Sequence, residues 1–245
     1  MVVSNRGLLF LLVLATMGAA LPLAVAGEEA TPASLPPADT AVQTPKGRAN
    51  FKGNATSPAA KQVADWVVDS GDNHGLPFAI VDKVEAKIFV FWATGVLRGT
   101  GPVLLGLARG DDTVPGIGTR KLSTIRPEER TTPAGRFVAS LDRNLRGDEI
   151  LWVDYDAAIS LHRVITTKPE ERRLQRLSSP SPLDKRISYG CINVSVGFYD
   201  KVVSPAFTGT FGVVYVLPET RPLTDVFALY DVDKGQKSTV PARPL

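Results

Sequence analysis

The protein has one cysteine, Cys191, and two histidines, His74 and His162. Cys191 sits in Ile187-Ser188-Tyr189-Gly190-Cys191-Ile192-Asn193-Val194, where β-forming residues alternate with short polar or flexible ones. Such a run ends a strand and holds a thiol at a turn. A thiolate is a strong nucleophile, and a nearby histidine both favours the thiolate and carries its proton. His162 lies in a β-type run over 158–164. Strand alternation puts Ile159 and Leu161 on one face of that run and Ser160 and His162 on the other. One excursion separates it from the cysteine run, a spacing that suits two neighbouring strands. Gly190 permits close backbone approach, and the amides of Tyr189, Gly190 and Cys191 are the candidates to face a developing oxyanion. His74, in the helix-ending turn Asn73-His74-Gly75, has no expected role. On spacing alone, a packed cysteine and a packed strand histidine remain an open alternative.

The elements that must position these residues read as a mostly β chain. Ser57-Pro58 is a helix start, with Ser as cap and Pro at the first helical position, and Val63, Trp66 and Val67 share one helical face. The expectation is an N-terminal packing helix within 58–76. Short apolar runs at 77–81, 86–92, 103–108, 137–141, 149–153 and 211–217 read as strands, with tight polar turns between the early ones. Together they suggest an antiparallel, mostly β domain over 77–218. Residues 109–130 form a long polar loop, functional or disordered, in which Asp111 and Asp112 read as turn chemistry. No His or Cys accompanies that pair, so no metal is expected. Residues 166–186 form a basic excursion with a short helix near 170–177. Ser195 can cap a helix over 196–203 that Pro205 ends, and 219–245 reads as a partly ordered tail.

Ahead of the domain, Arg6 precedes an apolar run over 7–25 and an Ala24-Val25-Ala26 cleavage pattern. That is the layout of a secretory signal peptide over 1–26, followed by a flexible linker over 27–57 rich in Ala, Pro, Thr and Gly. The expected location is the periplasm or cell envelope, with no membrane span once the signal is removed. A single thiol in an exported chain forms no internal disulfide, which keeps it available for chemistry. With 28 basic and 25 acidic residues, charge gives no argument for a nucleic-acid partner.

Ser188-Tyr189-Gly190-Cys191-Ile192-Asn193-Val194 resembles the Ser-x-Gly-Cys signature of the L,D-transpeptidase catalytic domain, the YkuD fold. Phe78-Ala79-Ile80-Val81-Asp82-Lys83 resembles that family's opening strand, and Thr132-Pro133-Ala134-Gly135-Arg136-Phe137 its Thr-Pro-x-Gly-x-Phe segment. His162, upstream of the cysteine, matches the family's catalytic histidine. The resemblance covers about 77–218 and implies a β-sandwich with short helices and a long excursion before the cysteine motif. It implies Cys191 as nucleophile and His162 as proton donor and acceptor, without metal or organic cofactor. The implied reaction takes a peptidoglycan tetrapeptide stem, releases D-Ala, and passes the acyl group from a thioester to an amine on a second stem. Hydrolysis of the same thioester, or a non-catalytic wall-binding module, are the alternatives. Ser188, Asn193, Arg172, Arg173 and Arg176 are the expected substrate contacts, the arginines meeting stem carboxylates from a lid. The chain differs from much of the family in having Arg163 after the histidine and Tyr189 before the Gly-Cys pair.

Overall fold

The computed structural model describes residues 47–234. The signal peptide and most of the linker, as well as the end of the tail, lie outside the described residues. Helix α1 (Pro58–Ser70) begins as expected: the Ser57 hydroxyl accepts from Ala60 N–H, Pro58 opens the first turn, and Gly71 closes the helix in a left-handed conformation. Ten strands follow: β1 (Phe78–Asp82), β2 (Lys87–Phe91), β3 (Leu97–Pro102), β4 (Leu105–Gly106), β5 (Gly135–Arg143), β6 (Glu149–Asp154), β7 (Ile159–Arg163), β8 (Arg186–Ser188), β9 (Ile192–Val194) and β10 (Gly212–Val216). Eight of them run in the order β3-β2-β1-β10-β5-β6-β7-β9, and β4 and β8 form a separate pair.

Strand β5 is where the order folds over. Its first half, Gly135 to Ala139, pairs with β10, and its second half, Ser140 to Arg143, pairs with β6. Each half therefore belongs to a different layer. Period-two alternation then sorts the side chains. Ala79, Val81, Ile88, Val90, Val214 and Val216 point inward from the first layer and meet Leu151, Val153, Ile159, Leu161, Ile192 and Val194 from the second. That face-to-face contact is the interior of a β-sandwich. The opposite face of the first layer carries Phe78, Ile80, Phe89, Phe91, Val213 and Tyr215, and α1 covers it with Val63, Trp66 and Val67. Strands buried on both faces read as continuous apolar runs, which is why Phe78-Ala79-Ile80-Val81 shows no alternation.

Several expectations change. The sheet is mixed: β1–β10, β7–β9 and β4–β8 are parallel. The third strand is Leu97–Pro102 rather than 103–108. Its glycines argued for a turn, but Gly99 and Gly101 admit Phe198 and Val202 against the strand. Residues 47–51, expected within the linker, pack on the domain: Asn50 bridges to Val96, and the Phe51 ring meets Phe89 and Phe91 edge-on. The helical stretch after Ser195 does not stop at Pro205. Its α turns, Val196–Phe198 and Ser204–Phe207, flank a wider π turn over Tyr199–Val203, and Pro205 falls at the start of the last segment, where a missing N–H costs little. The start of the tail is also integral, since Phe227 is buried beside Trp66 and Tyr215.

Asp111 and Lys83 form the largest departure. Lys83 Nζ is fully buried and donates to Asp111 Oδ1 at 2.8 Å, to Gly110 O at 2.5 Å and to Thr132 O at 2.8 Å. Asp111 also accepts from the amides of Glu219, Thr220 and Arg221. Glu219 in turn binds Arg186 at 2.6 Å. Burial pushes the Asp111 carboxyl up, but Lys83 and the Thr220 and Glu219 donors hold it well below the usual carboxylate range. Asp111 is therefore the clasp of a buried ionic cluster that ties β1, the long loop, β8 and the chain after β10 together.

Candidate active site

Strands β7 and β9 are parallel neighbours, with Leu161 opposite Ile192 and His162 opposite Asn193. Ile159, Leu161, Ile192 and Val194 face the core, so Ser160, His162 and Asn193 face outward together. Cys191 is the last residue before β9 and is partly exposed. Its Sγ lies 3.6 Å from Ser160 Oγ and 3.6 Å from the Ala158 carbonyl. The His162 ring is anchored from behind, its Nδ1 2.7 Å from the Arg163 carbonyl, so Nδ1 carries the proton and Nε2 keeps its lone pair.

Titration links the thiol and the imidazole. Burial pushes the Cys191 thiol up, yet the hydrogen bond and charge of His162 and the contacts of Ser160 outweigh it and leave the thiol below its ordinary value. Burial pulls the His162 imidazole down, and the Cys191 sulfur and the Arg163 carbonyl bring it above its ordinary value, with Arg173 opposing. Each group thus stabilises the charged form of the other, the condition for a nucleophilic thiolate near neutral pH.

The turn before the thiol is held by four hydrogen bonds. Thr132 Oγ1 accepts from Gly106 N–H at 2.9 Å and donates to the Gly190 carbonyl at 2.8 Å. Ser188 Oγ donates to the Cys191 carbonyl at 2.6 Å and accepts from Gly190 N–H at 3.0 Å. The Gly190–Cys191 peptide is planar, so fixing its carbonyl on Thr132 turns the Cys191 N–H the other way. That N–H takes no acceptor in the loop. Gly190 has φ +129°, and a Cβ there would lie 2.6 Å from the Thr131 carbonyl, so only glycine fits.

These contacts revise the expected roles. The Gly190 amide, an expected oxyanion donor, is committed to Ser188. Ser188 and Asn193, expected to meet substrate, are 3% and 0% exposed; Ser188 uses its hydroxyl inside the turn, and Asn193 its carboxamide on Arg173, His162 and the Cys191 carbonyl. The Tyr189 ring packs against the sandwich core, with the Arg130 guanidinium 4.0 Å above its centroid. Arg173 reaches the site, donating to Asn193 Oδ1 at 2.7 Å and pairing with Glu171. Arg172 and Arg176 line a separate depression of about 280 Å³ with Gln175, Ser179 and Asp184. Arg176 there donates to the carbonyls of Glu171 and Asp184. Arg163, unusual after the histidine, turns its guanidinium away to Asp200 at 2.7 Å and over the Tyr199 ring at 4.2 Å. Only its carbonyl serves His162. Two residues without an expected role stand out, Ser160 and Thr132. Alternation had already placed Ser160 on the face of His162.

A cleft of about 850 Å³ opens beside Ser160 and His162, bounded by Trp152, Arg163 and the β5–β6 turn with Arg143 and Arg146. Arg143 there donates to the Gly147 carbonyl.

No family model matches the chain, and no curated protein matches it. The solved structures it resembles include L,D-transpeptidases. The catalytic domain of the Enterococcus faecium L,D-transpeptidase aligns at 15% identity and TM-score 0.35, over 58% of this chain and 96% of that domain. An L,D-transpeptidase from Mycobacterium tuberculosis aligns at 17% identity and TM-score 0.37, over 57% of each chain. The helical cell shape determining protein Pgp2 of Campylobacter jejuni aligns at 14% identity and TM-score 0.38, over 68% of this chain and 58% of that one. The alignment thus spans a little over half of the two longer proteins. Among the described residues, no helix is long and apolar enough to cross a membrane.

Proposed function

We propose that this protein is a cysteine-dependent acyltransferase of the L,D-transpeptidase type, acting on peptidoglycan stem peptides in the cell envelope. The observation that carries this reading is the placement of Cys191 beside the Ser160–His162 face of the parallel strands β7 and β9, with the His162 Nδ1–H fixed on a backbone carbonyl. The donor stem lies in the cleft beside His162. Cys191 Sγ attacks the carbonyl between the third residue and D-Ala, and the thiol proton passes to His162 Nε2. The Cys191 N–H faces the oxyanion that forms. As the carbon–nitrogen bond breaks, His162 returns the proton to the departing D-Ala amine, leaving a thioester on Sγ. An amine of a second stem attacks that thioester, gives its proton to His162, and restores the thiol. No step requires a metal or an organic cofactor.

The test uses the purified protein with tetrapeptide muropeptides and, separately, with a carbapenem, each followed by mass spectrometry. The expected results are a crosslinked dimer with released D-Ala, and a single carbapenem adduct that is absent in Cys191→Ala. A shortened monomer without dimer replaces transfer by hydrolysis. Absence of both products and adduct rejects the reading.

A further inference from the structure

The long basic excursion between His162 and Cys191 does not only pass over the site; one of its side chains ends in it. Arg173, at the start of helix α2 (Arg173–Ser178), donates Nη1–H to Asn193 Oδ1 at 2.7 Å and is held by Glu171. The Arg173 side chain is 12% exposed and Asn193 is fully buried. On the far side of the same carboxamide, Asn193 Nδ2 lies 3.3 Å from His162 Nε2 and 3.3 Å from the Cys191 carbonyl.

The two ends of this chain of contacts each allow one polarity only. A guanidinium can only donate, so the Asn193 atom facing Arg173 must be the carbonyl oxygen. The amide NH2 must then face His162, and the atom it meets must be a lone pair. At the other end the Arg163 carbonyl can only accept, so Nδ1 must carry the proton. Both ends demand the same neutral tautomer, with the Nε2 lone pair shared between the Asn193 N–H and the proton of the thiol. Without Arg173, only the 3.3 Å contact of Nδ2 to the Cys191 carbonyl opposes turning the Asn193 amide over to present Oδ1 to His162, which favours the opposite tautomer.

We infer that Arg173 is a positioning residue: through Asn193 it sets the His162 tautomer from the excursion. The inference rests on the proposed acyl transfer for its kinetic consequence, but not for its structural one. Arg173 opposes by its charge the rise that the Cys191 sulfur and the Arg163 carbonyl give His162.

The experiment compares the wild type with Arg173→Gln, Arg173→Lys and Asn193→Asp. Imidazole 15N NMR of the full chain is simple, because His74 and His162 are the only histidines. The wild type should show His162 as the Nδ1–H tautomer. Arg173→Gln should show a mixture, and Arg173→Lys, which keeps a donor and the charge, should restore most of the wild-type signal. Asn193→Asp keeps the tie to Arg173 but has no donor for Nε2, and should shift the ring toward Nε2–H or the imidazolium even if Arg173→Gln proves too unstable to measure. In stem transfer, Arg173→Gln should lose about 10- to 100-fold in kcat with KM unchanged. An unchanged tautomer in Arg173→Gln or in Asn193→Asp overturns the inference, as does a loss expressed only in KM, which would make Arg173 a substrate contact. If the tautomer moves while the wild type transfers no stem, the positioning stands and the proposed activity falls.

Discussion

The two outer faces of the sandwich are used in opposite ways. On the first layer, the outer face is aromatic and sealed by α1: Phe78 stacks on Phe91 at 4.7 Å, and Trp66 meets Tyr215 edge-on. On the second layer, the outer face carries Trp152, Ser160 and His162 along an open cleft, and α2 reaches it at Asn193 through Arg173. Both layers share one interior and one strand, so the difference is not one of core. A face covered by a helix contributes burial, whereas a face left open can present polar groups that are fixed from behind. The site has that character. His162 is fixed by its own strand's carbonyl, and Cys191 by a turn braced on Thr132.

This contrast can be broken at its strongest point first. Phe78→Ala removes a fully buried ring from the covered face, and should cost about 3–5 kcal/mol in denaturant unfolding. The thiol chemistry of the surviving folded fraction should stay intact. Acid tests the clasp that ties the first layer to the long loop and β8. The Asp111 carboxyl titrates below the ordinary aspartate range, so its contribution is full above that range and drains away as pH falls through its folded value. Unfolding free energy should therefore drop on acidification below about pH 4, and Asp111→Asn should flatten that drop while lowering stability at neutral pH. Ser160→Ala probes the open face. It removes one weak contact to sulfur, so stability should change by less than about 1.5 kcal/mol. Because Ser160 helps hold the thiol below its ordinary value, the pH midpoint for iodoacetamide alkylation of Cys191 should move up. A shift downward, or a stability loss matching that of Phe78→Ala, would erase the distinction between the faces.

What could be read beforehand follows the range of the forces involved. Alternation is local, so the pairing of Ser160 with His162, and their separation from Ile159 and Leu161, was visible in five consecutive residues. The capped start of α1 was visible for the same reason. Parallel pairing of β1 with β10 joins the two ends of the domain, and no local signal announces it. Nor does Asp111 reveal in its own neighbourhood that Lys83 and the amides after β10 will close on it. The arginines of the excursion were noticed as charges. That Arg173 alone turns inward depends on Glu171 and Asn193 lying on either side of it. Leu97–Pro102 was hidden by its glycines, whose missing side chains leave room for Phe198.

The position of β10 has a consequence for how the molecule comes into being. It lies between β1 and β5 at the centre of the first layer, although it is the last strand among the described residues. Until residues 212–216 are available, β1 and β5 have no hydrogen-bonded link, and the buried carboxylate and ammonium of the clasp lack the amides that complete their shell. A growing chain therefore holds β1 and the first half of β5 unpaired on one side until residues 212–216 arrive. Such long-range closure makes for slow folding and a prolonged aggregation-prone stage. The same geometry means that a chain truncated before β10 loses its whole first layer rather than one edge.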